Sequence, residues 1–256
     1  MTYAIGDIHG NYLALMDILN QINFDYEEDT LITIGDYFDG WSQSFEVIEE
    51  LMKIKNIIAI KGNHDEWFLE FIKDTFIKNG IENYDFHKYR SYESWVYHGG
   101  KATILSYSRH LDKLDEHYDW CLKNLKNYYI DDDNNLFIHA GYSDVIPEKD
   151  ENLYDSDFLW DRSYVNNKLV YPYYNDQYKG DRNFNQVFIG HTPTINFKDK
   201  INGGYMGKIM NKVNIHLIDC GAGFNGYLAC MNIDTGEEFY SSKKAHKYYP
   251  NEKGRN

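Results

Sequence analysis

Residues Thr2–Gly10 read TYAIGDIHG, a short apolar run closed by a carboxylate and an imidazole, and this stretch decides the fold. Its apolar part predicts a strand over Thr2–Ile5. Gly6 then lets the backbone turn, so Asp7 and His9, two residues apart, can both reach one ion beyond the strand end. The same phrase recurs twice. Leu31–Ile34 runs into Gly35, Asp36, Tyr37, Phe38 and Asp39, and Ile57–Ile60 runs into Gly62, Asn63, His64 and Asp65. Amphipathic segments follow at Asn11–Gln21, Gln43–Lys55 and Glu66–Lys73, the pattern of βαβ units around a parallel sheet. Ligands bind such sheets beyond the carboxyl ends of the strands, so Asp7, Asp36 and Asn63 are expected at one edge.

Farther along, residues 73–126 turn charged and aromatic, with Ser94–His98, the Gly99 and Gly100 pair, and a helix expected over Asp112–Lys126. This predicts a helical insert over the site. Apolar runs at Leu136–Ile138, Val187–Ile189, Ile215–Ile218 and Tyr227–Ile233, then a strand from Glu237, predict a second sheet facing the first. The expected class is therefore α/β. Tyr164–Asn185 lacks periodicity and is expected to be a long surface loop. Two more histidines follow apolar runs, His139 after Leu136–Ile138 and His191 after Val187–Gly190.

Taken together, Asp7, His9, Asp36, Asn63, His139 and His191 offer carboxylate, imidazole and amide donors, a mixture that suits manganese, iron or zinc better than copper. One carboxylate can bridge two ions roughly 3.5–4 Å apart, the spacing used to activate water and clamp a phosphoryl group. Asp36, central in chain order, is the expected bridge.

The chain has 256 residues, 43% of them hydrophobic, and no break in composition, so a single domain over residues 1–256 is expected. A formal charge of −14 argues against gripping long nucleic acid, where affinity comes from Lys and Arg on phosphates. Bound metal ions can supply positive charge locally instead. Cys121, Cys220 and Cys230 are widely spaced in apolar or helical sequence and suit reduced core thiols. With neither a leader-like start nor an apolar run of about 20 residues, a cytoplasmic protein away from membranes is expected.

The five motifs, Gly6–Gly10, Gly35–Asp39, Gly62–Asp65, His139–Gly141 and Gly190–Thr192, resemble in their order the calcineurin-like metallophosphoesterase superfamily, specifically its phosphoprotein phosphatase branch. Leu159–Arg162 and Asp219–Ala222 are similar to its bacterial and phage-type members, which include Ser/Thr and Tyr phosphatases and symmetrical diadenosine tetraphosphatases. Trp95–Tyr107 is similar to the helical insert of that group. The resemblance implies a four-layer fold, with two facing mixed β-sheets flanked by helices. It implies two divalent metal ions, manganese first, one held by Asp7, His9 and Asp36 and the other by Asp36, Asn63, His139 and His191. It further implies attack by a metal-bridging hydroxide, His64 as the general acid with Asp39 as its partner, and no phosphoenzyme.

One departure matters. The family usually places Arg and then Gly after the Asp39 position, where this chain has Gly40 and Trp41. Arg162, with Asn63, is left as the expected phosphate contact, with Lys61 or Lys101 as weaker helpers, and protein phosphatase efficiency is expected to suffer. Trp41 either stacks on a substrate ring or simply packs. Asp65 is expected to start a helix or hold a ligand histidine; Asp219 has the same expected role or lies in a turn. His87, His98, His110, His117, His216 and His246 are assigned no role. The first expected activity is phosphomonoester hydrolysis on phosphoprotein or a small ester. The alternatives are hydrolysis of dinucleoside polyphosphates or cyclic nucleotides, and a noncatalytic module that recognises phosphate.

Overall fold

Thr2–Ile5 forms β1 and lies between parallel β2 (Thr30–Thr33) and antiparallel β10 (Ala229–Asn232), a placement that ties the start of the chain to a segment some 230 residues on. This computed structural model describes residues 1–77, 86–142, 155–172, 177, 179–197 and 206–255. Beyond β2 come β3 (Asn56–Ile60) and β4 (Leu125–Lys126), both parallel, and beyond β10 comes antiparallel β11 (Glu238–Tyr240). The second sheet has the order β5-β6-β7-β9-β8, with β5 at Tyr128–Ile130, β6 at Leu136–Ile138, β7 at Val187–Ile189, β8 at Met210–Lys212 and β9 at Ile215–Leu217. Both sheets are mixed, and the α/β class and facing sheets expected from the sequence are present.

Strand alternation builds the layers. Successive side chains point to opposite faces, so Tyr3 and Ile5 face helices α1 (Tyr12–Gln21) and α2 (Ser44–Leu51), while Ala4 faces the other sheet. In the second sheet Leu136, Ile138, Val187 and Ile189 face outward to Tyr164, Val165 and Leu169, while Phe137 and Phe188 face inward. Ile32, Ile34, Ile60, Phe137, Phe188 and Ile218 make the layer between the sheets. There the Phe137 and Phe188 rings stack with centroids 4.8 Å apart.

Several boundaries differ from expectation. The third helix, α3, starts at Asn63 rather than Glu66 and runs to Ile77, so Asn63 and His64 belong to a helix's first turn. The insert contains α4 (Phe86–Trp95), a kinked turn over Val96–Gly100 in which Gly99 takes φ +114°, α5 (Lys101–Tyr107) and α6 (Leu114–Asn124). The helix expected to Lys126 stops earlier because Leu125 and Lys126 pair with Ala59 and Ile60 as β4. The expected loop Tyr164–Asn185 begins instead as helical turns over Ser163–Val170, with Tyr164, Val165 and Leu169 buried. Of these two stretches, residues 78–85, 173–176 and 178 lie outside the described residues. The three cysteines are free and buried, and no described helix is long and apolar enough to cross a membrane.

Phe137 is fully buried at the contact between sheets, so Phe137→Ala should cost about 3–5 kcal/mol through lost contacts and an unfilled cavity. Urea unfolding checks this. A loss under about 1 kcal/mol would mean that the two sheets do not share this core.

Candidate metal centre and active site

The site is built on backbone before side chains. The Asp65 carboxylate, fully buried in the first turn of α3, accepts hydrogen bonds from the backbone N–H groups of Gly62 (2.7 Å), Asp36 (2.8 Å) and Tyr37 (2.8 Å). It thereby ties the end of β2 to the end of β3. The Asp36 carbonyl in turn accepts the N–H groups of Ile8 (3.1 Å) and His9 (2.8 Å), which ties in the end of β1. Asp65 thus lies at the helix start, one of the two roles expected from the sequence, and holds backbone rather than a ligand histidine. Glycine is needed where these strand ends converge. A Cβ on Gly62 would lie 2.1 Å from Asp36 Oδ1, and one on Gly190 would lie 2.3 Å from Asp7 Oδ1.

Side chains then meet in two groups, His9, Asp36 and His64 on one side and Asp36, His139 and His191 on the other, with Asp36 common to both. His9 Nδ1 bonds to the Phe38 carbonyl (2.9 Å) and His139 Nδ1 to the Ile34 carbonyl (2.7 Å). Carbonyls accept only, so both rings carry the proton on Nδ1 and turn a lone pair on Nε2 into the cage. His9 Nε2 is 3.4 Å from Asp36 Oδ2, and His139 Nε2 is 3.5 Å from Asp36 Oδ1 and 3.1 Å from Asn63 Oδ1. The Asp7 carboxylate accepts the backbone N–H of His191 at 3.1 Å, and Asp7 falls in neither of the two three-residue groups. All six expected ligands are buried here together.

A cation fits this donor set. Asp36 Oδ2 is buried with no hydrogen-bond partner among the described residues. Burial and then the neighbouring carboxylates push Asp7 well up, and burial pushes Asp219 up to about 6. Burial, followed by the nearby Arg255 charge, lowers His9 to about 3 and drives His64 well below its usual range. Burial also leads the downward shifts of His139 and His191. Crowded carboxylates and neutral imidazoles in a dry site are what divalent ions would neutralise and bind.

His64 Nδ1 lies 2.6 Å from Asp39 Oδ2, and Asp39 also accepts from Trp95 Nε1 (2.9 Å) and Thr103 Oγ1 (2.7 Å). Burial raises Asp39 to about 8 against these stabilising bonds. With Nδ1 turned to Asp39, the ring points its other nitrogen, Nε2, away from that carboxylate. That atom is buried with no partner among the described residues. The insert therefore supplies two of the three groups that hold Asp39.

Arg162 reaches the cage, its Nε donating to His191 Nε2 at 3.1 Å. Lys61 spends its backbone N–H on the Lys126 carbonyl (2.7 Å), and Lys101 lines a separate cleft of about 670 Å³ with Tyr97, Arg109 and Lys253. Trp41 does not meet substrate: it is fully buried, donates Nε1 to the Ala222 carbonyl (2.7 Å) and stacks on Tyr249. Asp219 accepts the Gly221 N–H (2.8 Å), the turn alternative. Arg255, which sequence reasoning missed, places Nη1 2.9 Å from His9 Nε2. Its only trace in the sequence is the unexplained glycine at position 40.

Residues 2–221 match the family described as calcineurin-like phosphoesterase. The chain is 23% identical over 233 residues to serine/threonine-protein phosphatase 1 of Salmonella typhimurium, covering 90% of this chain and 91% of that protein. Over 65 residues it is 42% identical to the symmetrical bis(5'-nucleosyl)-tetraphosphatase of Proteus mirabilis, a match covering 25% of this chain and 24% of that protein. The solved structure of a candidate diadenosine tetraphosphatase superposes with a TM-score of 0.60 at 18% identity, covering 93% of this chain and 91% of that one.

Asp65→Asn keeps the shape but turns an NH₂ toward backbone N–H groups that need an acceptor. It should cost about 2–4 kcal/mol, since bonds to a charged group are worth roughly 1.5–3 kcal/mol each. Manganese affinity should also fall at least about tenfold. Thermal unfolding and a manganese titration check both, and unchanged values would show that Asp65 does not brace the cage.

Proposed function

The chain belongs to the calcineurin-like phosphoesterase family and is a phosphoric ester hydrolase, and from that premise we propose that it is a phosphomonoesterase of Ser/Thr protein phosphatase type. Asp7, His9 and Asp36 would hold one divalent ion and Asp36, Asn63, His139 and His191 the second, with manganese as the first choice and iron or zinc as alternatives. Such ions, when bound, lower the pKa of water and draw charge from phosphoryl oxygens. Arg162 and Asn63 then contact the phosphoryl oxygens. His64 gives its Nε2 proton to the departing oxygen, while Asp39, braced by Trp95 and Thr103, holds the ring in place.

The observation that carries this reading is the His64–Asp39 pair. An alkoxide leaving from serine or threonine is strongly basic and needs a proton in the transition state. A nucleotide leaving group is far less basic and needs it less. The likeness to a serine/threonine-protein phosphatase across nine-tenths of both chains supports the same reading. Dinucleoside polyphosphate hydrolysis is the second reading, supported by the local match to the tetraphosphatase. A cytoplasmic setting accords with three free, buried cysteines.

Manganese-loaded protein should turn over phosphoserine peptides with a higher kcat/KM than phosphotyrosine peptides, diadenosine tetraphosphate or a cyclic nucleotide. Turnover of the dinucleotide alone would transfer the assignment to the second reading, and binding of phosphate without any turnover would leave only a recognition module. His64→Ala should slow a phosphoserine peptide about 100- to 1,000-fold and dinitrophenyl phosphate less than about tenfold. Equal losses on both substrates would remove the acid role. Asp36→Asn should bind less than half the metal of the parent protein by elemental analysis, and full metal content would refute a shared ligand.

A further inference from the structure

Residues 252–255 run along the segment Gly40–Ser42, one residue against the next. Ser42 donates its N–H (3.0 Å) and its hydroxyl (2.6 Å) to the Glu252 carboxylate. Gly254 adopts φ +71° over Trp41, where a Cβ would lie 2.8 Å from the indole Cζ2. A Cβ on Gly40 would lie 3.2 Å from Arg255 Cγ, one on Gly99 3.3 Å from the same atom, and one on Gly223 2.9 Å from Arg255 Cδ. The Arg255 N–H bonds to the Gly223 carbonyl at 2.8 Å. Three glycines thus line a channel for one arginine stem, and its guanidinium emerges beside Phe224 (4.8 Å from the ring centroid) at His9 Nε2.

We infer that Arg255 is the phosphoryl clamp of this site, its guanidinium binding nonbridging oxygens of the substrate phosphate from the His9 side as Arg162 does from the His191 side. The inference rests on the phosphoesterase reading only in requiring that the ligand carry a phosphoryl group. A structural arginine is normally held by a carboxylate or by carbonyls. Arg255 makes no ion pair among the described residues, its one side-chain hydrogen bond goes to a neutral imidazole, and its Nε is buried without a partner. An unmet charged donor in a buried position is costly unless an acceptor arrives. The imidazole lone pair it now uses is also the one His9 would give to a metal ion. With that lone pair given to an ion, no described side chain would accept from the guanidinium, and a tetrahedral dianion is the acceptor whose geometry matches its planar fork of donors.

This accounts for the departure at Gly40 and Trp41. Where relatives carry an arginine in the loop itself, this chain has a glycine that admits an arginine from elsewhere and a tryptophan that floors the segment bearing it. The deficit in phosphate capture expected from the sequence is thereby removed.

The test compares parent protein, Arg255→Ala and Arg255→Lys, each loaded with manganese, for metal content, for inorganic phosphate affinity by calorimetry, and for steady-state kinetics on a phosphoserine peptide. Arg255→Ala should keep its metal, bind phosphate at least about tenfold more weakly and lose roughly 100-fold in kcat/KM. Arg255→Lys should recover part of the phosphate affinity, and added guanidinium should partly restore Arg255→Ala. Phosphate affinity and kcat/KM within about twofold of the parent would overturn the assignment, as would loss of metal in proportion to activity, which would make Arg255 a prop of the cage. A parent protein that binds phosphate through Arg255 yet turns over no ester would instead uphold the clamp and refute the proposed activity.

Discussion

A single buried carboxylate, Asp65, carries the geometry of this molecule's working edge. Three backbone N–H groups from two strand ends converge on it. Because it sits in the first turn of α3, the helix, β2 and β3 are fixed to one another at one point. The Asp36 carbonyl then passes that order to β1 through Ile8 and His9. Ligand placement to a fraction of an ångström is a property of backbone hydrogen bonds here, with the imidazole and carboxylate rotamers following.

On that frame the chemistry is divided by distance from solvent and by donor type. Asp36 faces both ligand groups, so the two halves of the cage cannot be tuned apart from one another. The His64–Asp39 pair is tied to the insert as well: Asp39 is gripped by Trp95 and Thr103, and its loop meets the turn before α5 through the Gly40 N–H and the Gly99 carbonyl. The helical layer thus helps to fix the His64–Asp39 pair. Two arginines borne on segments outside the strand ends, Arg162 and Arg255, reach the cage from its His191 and His9 sides.

What was legible in the sequence follows from range. An apolar run, a glycine and a ligand occupy adjacent positions, so β1, β2, β3, β6 and β7 and the six donors at their ends could be read locally. β4 (Leu125–Lys126) and β8 (Met210–Lys212) carry polar residues in place of an unbroken apolar run, so nothing local marks them, and they exist because a neighbour offers a ladder. Asp65 was visible as an acidic residue at a helix start, but its partners lie 28 and 29 residues away in Tyr37 and Asp36. Arg255 was beyond reach altogether, since nothing in a terminal arginine announces contact with a histidine 246 positions earlier. The glycine at position 40 showed what was missing, and only the fold shows what fills the space.

Four of the site's side chains, His9, Asp36, Asp39 and His191, sit on backbone with φ between +53° and +69°. For residues bearing a Cβ this conformation costs roughly 1 kcal/mol each. Glycine would relieve that strain at every one of the four, and each replacement would delete a donor. The strain is the cost of aiming these donors inward, and it is concentrated at the strand ends that carry the candidate site. Local folding energy and the chemistry proposed for the site thus oppose each other at these four positions, and the hydrogen bonds around them have to hold backbone that the side chains alone would not choose.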